Sequence, residues 1–340
     1  MLRHAVHRSQ TGLLAIICRA STHAATATPL EYRAPLFDAR TSEKANSAVD
    51  DVTARDGLQS EPTLLTAAQK LEVIKSILAI QPHSVEVCSF VREDKVPAMA
   101  GSLELCQRMS DDQDVALAKA QGVGFAALVP NLKGFEKLLQ SRAVLDTAVV
   151  LVSCTDSHSK ANVNATVKQS VKNTLDVVRA AKREGVRVRA YASLAFACPF
   201  EGAVDPRVVE DVVAAYADAQ ADVILLADTL GAGTPEQVTD FVRRAQRLGV
   251  PASKLGFHFH DSHGRAHLNV AAALAQGVRM FDAAVGGCGG CQFAPGSKGN
   301  IATEKLVRVS KPLVPVRVNQ AALRQANADL AAKLKRPLDQ

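Results

Sequence analysis

From Ser47 onward, short apolar runs rich in β-branched residues alternate with longer stretches of helical period. The short runs predict strands near Ala48–Thr53, Ser84–Phe90, Gly124–Val129, Ala148–Ser153, Val186–Ser193, Asp222–Ala227, Leu255–His260 and Met280–Val285. The longer stretches predict helices, among them Thr66–Ile80, Thr166–Glu184, Pro206–Ala219, Pro235–Leu248 and Arg265–Gln276. Eight strand-then-helix units in about 260 residues fit an α/β fold of the (β/α)8 TIM-barrel type, which typically needs about 250. A doubly wound open sheet is the competing architecture. It would place a G-x-G-x-x-G turn after the first strand, where this chain has Arg55-Asp56-Gly57-Leu58-Gln59. The body shows no internal repeat, and from Asn319 onward the pattern predicts a polar helix appended to the barrel.

Composition narrows this picture. The chain has 340 residues, 47% of them hydrophobic, which excludes disorder across its whole length. Its longest apolar stretches, such as Gly12–Cys18, fall far short of the roughly 20 residues that span a bilayer, so no membrane partner is expected. The net charge of +6 sits at the ends: residues 1–35 carry +3 and residues 311–340 carry +4. The body is nearly neutral, which argues against a nucleic-acid footprint. Residues up to Pro29 contain arginine, serine, threonine and histidine but no carboxylate. That is the composition of a mitochondrial transit peptide, and it predicts a matrix address; an untargeted disordered tail is the competing reading. The expected organisation is a transit segment over 1–40, a catalytic barrel over 47–310 and a helical extension over 311–340. The seven cysteines are scattered, mostly in apolar runs, as expected of reduced thiols.

Chemistry in such a barrel is built where strands end. The first strand delivers Arg55 and Asp56, the second Glu86 and Ser89, the sixth Asp228 and Thr229, and the seventh His258, His260 and Asp261. In His258-Phe259-His260 the two imidazoles share one face of a strand and project together toward the barrel mouth. Two imidazoles and an oxygen ligand make a divalent-metal site, and Asp56 can supply the carboxylate because the first strand adjoins the eighth when the barrel closes. Carboxylate and amide oxygens beside imidazole favour Mg²⁺ or Mn²⁺ over Zn²⁺. A plain hydrogen-bonding role for either histidine is the competing reading. Glu86, within an apolar strand, needs an inward partner, and Arg55 is the obvious one. Cys288 and Cys291 lie in a glycine-rich loop with C-x-x-C spacing. No second pair completes a zinc site, and the two thiols either close a redox disulfide or leave Cys288 packed inward as a small hydrophobe.

Taken in order, Arg55-Asp56-Gly57-Leu58-Gln59, Ser89-Phe90-Val91, Pro130-Asn131-Leu132-Lys133-Gly134-Phe135-Glu136, Cys198-Pro199-Phe200-Glu201-Gly202, Asp228-Thr229, His258-Phe259-His260-Asp261 and the run from Gly289-Gly290-Cys291 to Asn300 resemble the 3-hydroxy-3-methylglutaryl-CoA lyase family over about residues 48 to 310. Leu58 favours the lyases over the related isopropylmalate and homocitrate synthases, which usually carry glutamate there. The resemblance implies metal-dependent cleavage of an acyl-CoA substrate to acetyl-CoA and acetoacetate, with Asp56, His258, His260 and Asn300 as metal ligands. It implies that Arg55 stabilises enolate charge, that Glu86 holds Arg55, that Cys291 is the acid, and that Asp228 is a catalytic proton-transfer candidate near the substrate hydroxyl. Gln59, Asn131 and Lys133 fall on the substrate side. A homodimer is expected, since dimers are common among such barrels. The chain departs from the family pattern at Ala54, at Glu93-Asp94-Lys95 and at Cys288, where proline, Pro-Lys-Trp and leucine are usual.

Overall fold

The structure, a computed structural model, describes residues 48–290 and 299–339. Eight parallel strands close into a barrel: β1 (Ala48–Asp51), β2 (Ser84–Ser89), β3 (Gly124–Leu128), β4 (Thr147–Ser153), β5 (Arg187–Ser193), β8 (Val223–Asp228), β9 (Leu255–Phe259) and β10 (Met280–Ala283). A two-residue antiparallel ribbon, β6 (Ala197–Cys198) with β7 (Gly202–Ala203), decorates the loop after β5. β10 pairs with β1, so the sheet closes and the open-sheet alternative falls. Among the described residues, no helix is long and apolar enough to cross a membrane.

The helices begin where side chains satisfy their first N–H groups. Thr66 and Thr234 each form a capping box with the glutamine three residues on, and Asp205 caps a helix whose first residue is Pro206. Outward-facing strand residues such as Val85, Val87, Val188, Phe257, Phe259 and Phe281 are buried with helix residues Ile74, Ile77, Val178, Val212 and Phe241 in one core. Each such side chain contributes about 1.5–3 kcal/mol when fully buried. The inward positions divide into two groups. Ala126, Leu128, Val149, Tyr191, Leu225 and Ala227 form an apolar patch, while Asp50, Ser84, Glu86, Arg189, His258 and Asp282 are buried polar residues on the other strands.

Two elements differ from the sequence expectation. β1 stops at Asp51 because the Asp51 carboxylate accepts the Thr53 N–H at 2.9 Å, and the chain then turns through a single π-helical segment, Thr53–Gly57. The C-terminal helix, Gln320–Leu334, is not polar all round. Leu323, Ala326, Leu330 and Leu334 repeat every three to four residues and are buried, and the helix packs on the helix Ala67–Leu78. Lys333 pairs with Glu72, and the Arg336 Nε donates to Glu61 at 3.0 Å, so the extension is fastened at both its apolar and its charged faces.

Leu330 is 2% exposed, so Leu330→Ala should lower unfolding free energy by about 2–4 kcal/mol. Urea denaturation checks this, and a loss below about 1 kcal/mol would mean that the helix is outside the cooperative unit.

Candidate metal centre

The π turn after β1 sets the first two site residues. The Gly57 N–H reaches back to the Val52 carbonyl at 3.0 Å, and this wider turn carries Arg55 and Asp56 to the barrel mouth. Arg55 is 6% exposed and Glu86 on β2 is fully buried. Their pairing, expected from the apolar run around Glu86, is bidentate: Arg55 Nε donates to Glu86 Oε1 at 2.6 Å and Nη2 to Oε2 at 2.8 Å. Arg55 Nη1 donates to Asp56 Oδ1 at 2.6 Å. Burial alone would raise the Asp56 carboxyl, but the Arg55 guanidinium and the two nearby imidazoles hold it well below the usual carboxylate range.

His258 and His260 face the same point. Each Nε2 is 3.9 Å from Asp56 Oδ2, and the three residues can offer ligand atoms that all lie within 4.8 Å of one another. Asn300, 244 residues from Asp56 in sequence, arrives by a return segment. The Ile301 N–H donates to the Phe259 carbonyl at 2.8 Å, and Asn300 bridges antiparallel to His260. Its Nδ2 then donates to Asp56 Oδ2 at 2.8 Å and to the Cys288 carbonyl at 3.0 Å. Its Oδ1 is buried with no hydrogen-bond partner among the described residues. One carboxylate and two imidazoles, beside an asparagine whose buried amide oxygen has no donor, make a donor set that suits a divalent cation. The four expected ligands therefore come together and fit such an ion.

Glycines let the loops close this tightly. A Cβ on Gly57 would lie 2.5 Å from Cys288 Sγ. One on Gly289, at φ +110°, would lie 2.7 Å from Asn300 Nδ2. Cys288 is accordingly packed inward and 1% exposed, and burial pushes its thiol well up, away from the reactive thiolate. Of the two readings of Cys288, the inward-packed hydrophobe is the one its environment matches. Cys291 lies outside the described residues.

The remaining expected residues are dispersed around the same end of the barrel. Asp228 turns toward its own loop, where its two oxygens accept the Ala232 and Gly233 N–H groups at 2.9 Å each. Burial nevertheless raises its carboxyl. Asn131 caps the helix Leu132–Gln140 by accepting the Gly134 N–H at 3.0 Å, and Lys133 stands exposed in that helix's first turn. Gln59 is half-buried just beyond the π turn. Sequence reasoning missed Arg189, Tyr191 and Asp282, which meet beneath His258. Their signal was available: Arg189 and Tyr191 at alternate positions of the otherwise apolar run Val188-Arg189-Ala190-Tyr191-Ala192, and Asp282 inside Met280-Phe281-Asp282-Ala283, share the inward face.

A family model described as HMGL-like matches residues 47–329. The chain is 36% identical over 287 residues to hydroxymethylglutaryl-CoA lyase of Pseudomonas mevalonii, covering 84% of this chain and 92% of that one. It is 35% identical over 291 residues to (R)-citramalyl-CoA lyase of Chloroflexus aurantiacus, covering 85% of this chain and 91% of that one. A solved HMG-CoA lyase from Acinetobacter baumannii, in complex with coenzyme A and 3-methylmalate, matches with a TM-score of 0.79 at 31% identity, covering 87% of this chain and 93% of that chain.

Removing one partner of a fully buried ion pair strands the other. Arg55→Gln should therefore cost about 3–5 kcal/mol of stability, and the double variant Arg55→Gln/Glu86→Gln should cost less than that single one. Denaturant titration of both decides; a double variant no more stable than Arg55→Gln would mean that Glu86 is not what the single change strands.

Proposed function

The chain belongs to the HMGL-like family, and from that premise we propose that it is a divalent-metal-dependent carbon–carbon lyase cleaving 3-hydroxy-3-methylglutaryl-CoA to acetyl-CoA and acetoacetate. The observation that carries this reading is the convergence of Asp56, His258, His260 and Asn300, whose Oδ1 has no partner among the described residues, beside a clamped arginine, in a chain 36% identical to a hydroxymethylglutaryl-CoA lyase. The relatives reported above are lyases, and a condensing synthase gains no support from them. The bound coenzyme A of the Acinetobacter baumannii structure supports an acyl-CoA substrate here.

Asp56, His258, His260 and Asn300 would hold the cation, and their oxygen-containing set supports Mg²⁺ or Mn²⁺. When bound, such an ion polarises a substrate hydroxyl and carboxylate and eases loss of the hydroxyl proton. Glu86 and Asp56 engage three of the five guanidinium N–H groups of Arg55, which leaves one on Nη1 and one on Nη2. Those two donors, held by Glu86 in a water-poor mouth, suit a thioester enolate oxygen as the C–C bond breaks. Cys291 is assigned as the acid that protonates the enolate carbon. Asp228 is the proton-transfer candidate near the substrate hydroxyl, its two oxygens oriented by the Ala232 and Gly233 N–H groups with acceptor capacity left over. Lys133, exposed at a helix start, suits the phosphates of coenzyme A, and Gln59 is placed with it on the substrate side. The acid-free composition up to Pro29, outside the family match, supports a mitochondrial matrix address.

With released acetyl-CoA as the common readout, the metal-loaded protein should turn over 3-hydroxy-3-methylglutaryl-CoA faster than (R)-citramalyl-CoA, and chelation should abolish the rate until Mg²⁺ or Mn²⁺ is restored. No acetoacetate from the metal-loaded protein would sink the assignment. Arg55→Lys keeps the charge beside Glu86 but loses the fork, and turnover should fall about 100-fold or more.

A further inference from the structure

We infer that Asp282 is the positioning residue that fixes the tautomer and ring orientation of His258, with Arg189 and Tyr191 locking Asp282 in place. The inference rests on the reading of His258 as a metal ligand given above. The β10–β9 register sets Asp282 directly beside His258, and Asp282 Oδ2 lies 3.0 Å from His258 Nδ1. Asp282 is 1% exposed. Its other oxygen accepts Arg189 Nη2, and the Tyr191 hydroxyl donates to Oδ2 at 2.7 Å. Arg189 in turn lies 3.2 Å from the Asp50 carboxylate, which accepts Ser84 Oγ at 2.5 Å and contacts His83 Nδ1 at 2.8 Å. The network thus runs from the ligand imidazole to Asp50 on β1 and Ser84 at the start of β2, and every carboxylate in it is held from more than one side.

A carboxylate only accepts hydrogen bonds, so the proton of a neutral His258 belongs on Nδ1 and the lone pair on Nε2. Nε2 is the atom that faces Asp56. Tyr191 also meets the His258 ring edge-on, at a centroid distance of 6.2 Å and an angle of 74°, which restrains rotation of the imidazole. His260 has no such support: its Nδ1 is buried without a partner among the described residues. Of the two imidazoles, His258 is the one built in advance for a metal.

The test has two parts. Nitrogen NMR of ring-labelled histidine in the metal-free full-length protein, with His258 assigned by substitution, should show the Nδ1–H tautomer. Asp282→Asn presents an amide whose NH₂ can donate to Nδ1 and drive the proton to Nε2. Its Mn²⁺ Kd should rise about 10- to 100-fold, with an unchanged circular dichroism spectrum and with turnover recovering toward wild type in excess Mn²⁺. A lesion confined to packing would not be rescued by metal. An Nε2–H tautomer in the wild type, or a Kd for Asp282→Asn within threefold of wild type, overturns the inference. If Asp282→Asn fails to fold, the wild-type tautomer alone decides. Failure of the wild type itself to bind Mn²⁺ would instead overturn the metal reading, and the tautomer measurement separates the two failures.

Discussion

Burying a guanidinium inside a barrel costs several kcal/mol unless carboxylates meet it there, and this lumen buries two, Arg55 and Arg189. Glu86 and Asp56 face the first; Asp50 and Asp282 face the second. Counted without the imidazoles, these two arginines and four carboxylates sum to a formal −2 in a low-dielectric space. Repulsion among unbalanced buried charges is large, so the cluster favours a compensating divalent cation at the point where Asp56, His258, His260 and Asn300 converge. The chemistry at the mouth and the electrostatics of the lumen are one problem. The carboxylates that hold Arg55 are among those that give the lumen its excess of negative charge.

The mouth is closed by segments that come from far along the chain. The return segment at Asn300 runs beside the end of β9 and then contacts β10, through the Ala284 N–H to the Ile301 carbonyl at 3.2 Å. Beneath the glycine-rich turn, the Gly286 N–H donates to Glu304 at 3.0 Å, and Asn327 Nδ2 reaches Glu304 Oε1 and the Asp339 carbonyl, each at 2.7 Å. The Asp339 N–H closes the circuit onto the Gly286 carbonyl at 3.1 Å. The C-terminal helix therefore supports the base of the turn that leads to Cys288 and, through the Cys288 carbonyl, to Asn300. Packing at Leu330 and its neighbours, remote from the metal centre, thereby supports the segment that orients the Asn300 amide.

The barrel was legible because period-2 apolar runs and period-3.6 stretches alternate eight times, a pattern with few architectural solutions. The pairing of the two imidazoles was legible for a related reason: strand alternation puts His258 and His260 on one face whatever the details. The limits were local and tertiary. The π turn that ends β1 depends on an Asp51 side chain bonding two residues ahead, which competes with the strand and leaves no mark in hydrophobic periodicity. The buried stripe of the C-terminal helix is built largely of alanine and leucine interleaved with charged and amide residues, so its mean character is polar while its inner face is not. Asp228 and Asn131 fall at loop positions where an acceptor side chain serves backbone N–H groups as readily as a ligand, and only the geometry of those bonds separates the roles.

The two faces of each strand carry different work, and this explains how a lumen so rich in charge is compatible with a stable fold. On β5, Val188, Ala190 and Ala192 bury outward in the main core, while Arg189 and Tyr191 point across the lumen at Asp282. On β9, Phe257 and Phe259 stack outward at 5.0 Å between ring centroids while His258 faces inward. Non-directional burial against the helices supplies the favourable free energy and tolerates changes of shape. The inward positions depend on direction, since each bond there fixes a neighbour's proton or orientation. Because parallel strands in a closed barrel have no free edge, a one-residue slip on any strand would exchange these two sets at once. The outer core that stabilises the barrel thereby enforces the register on which Asp282, His258 and the ligand set depend.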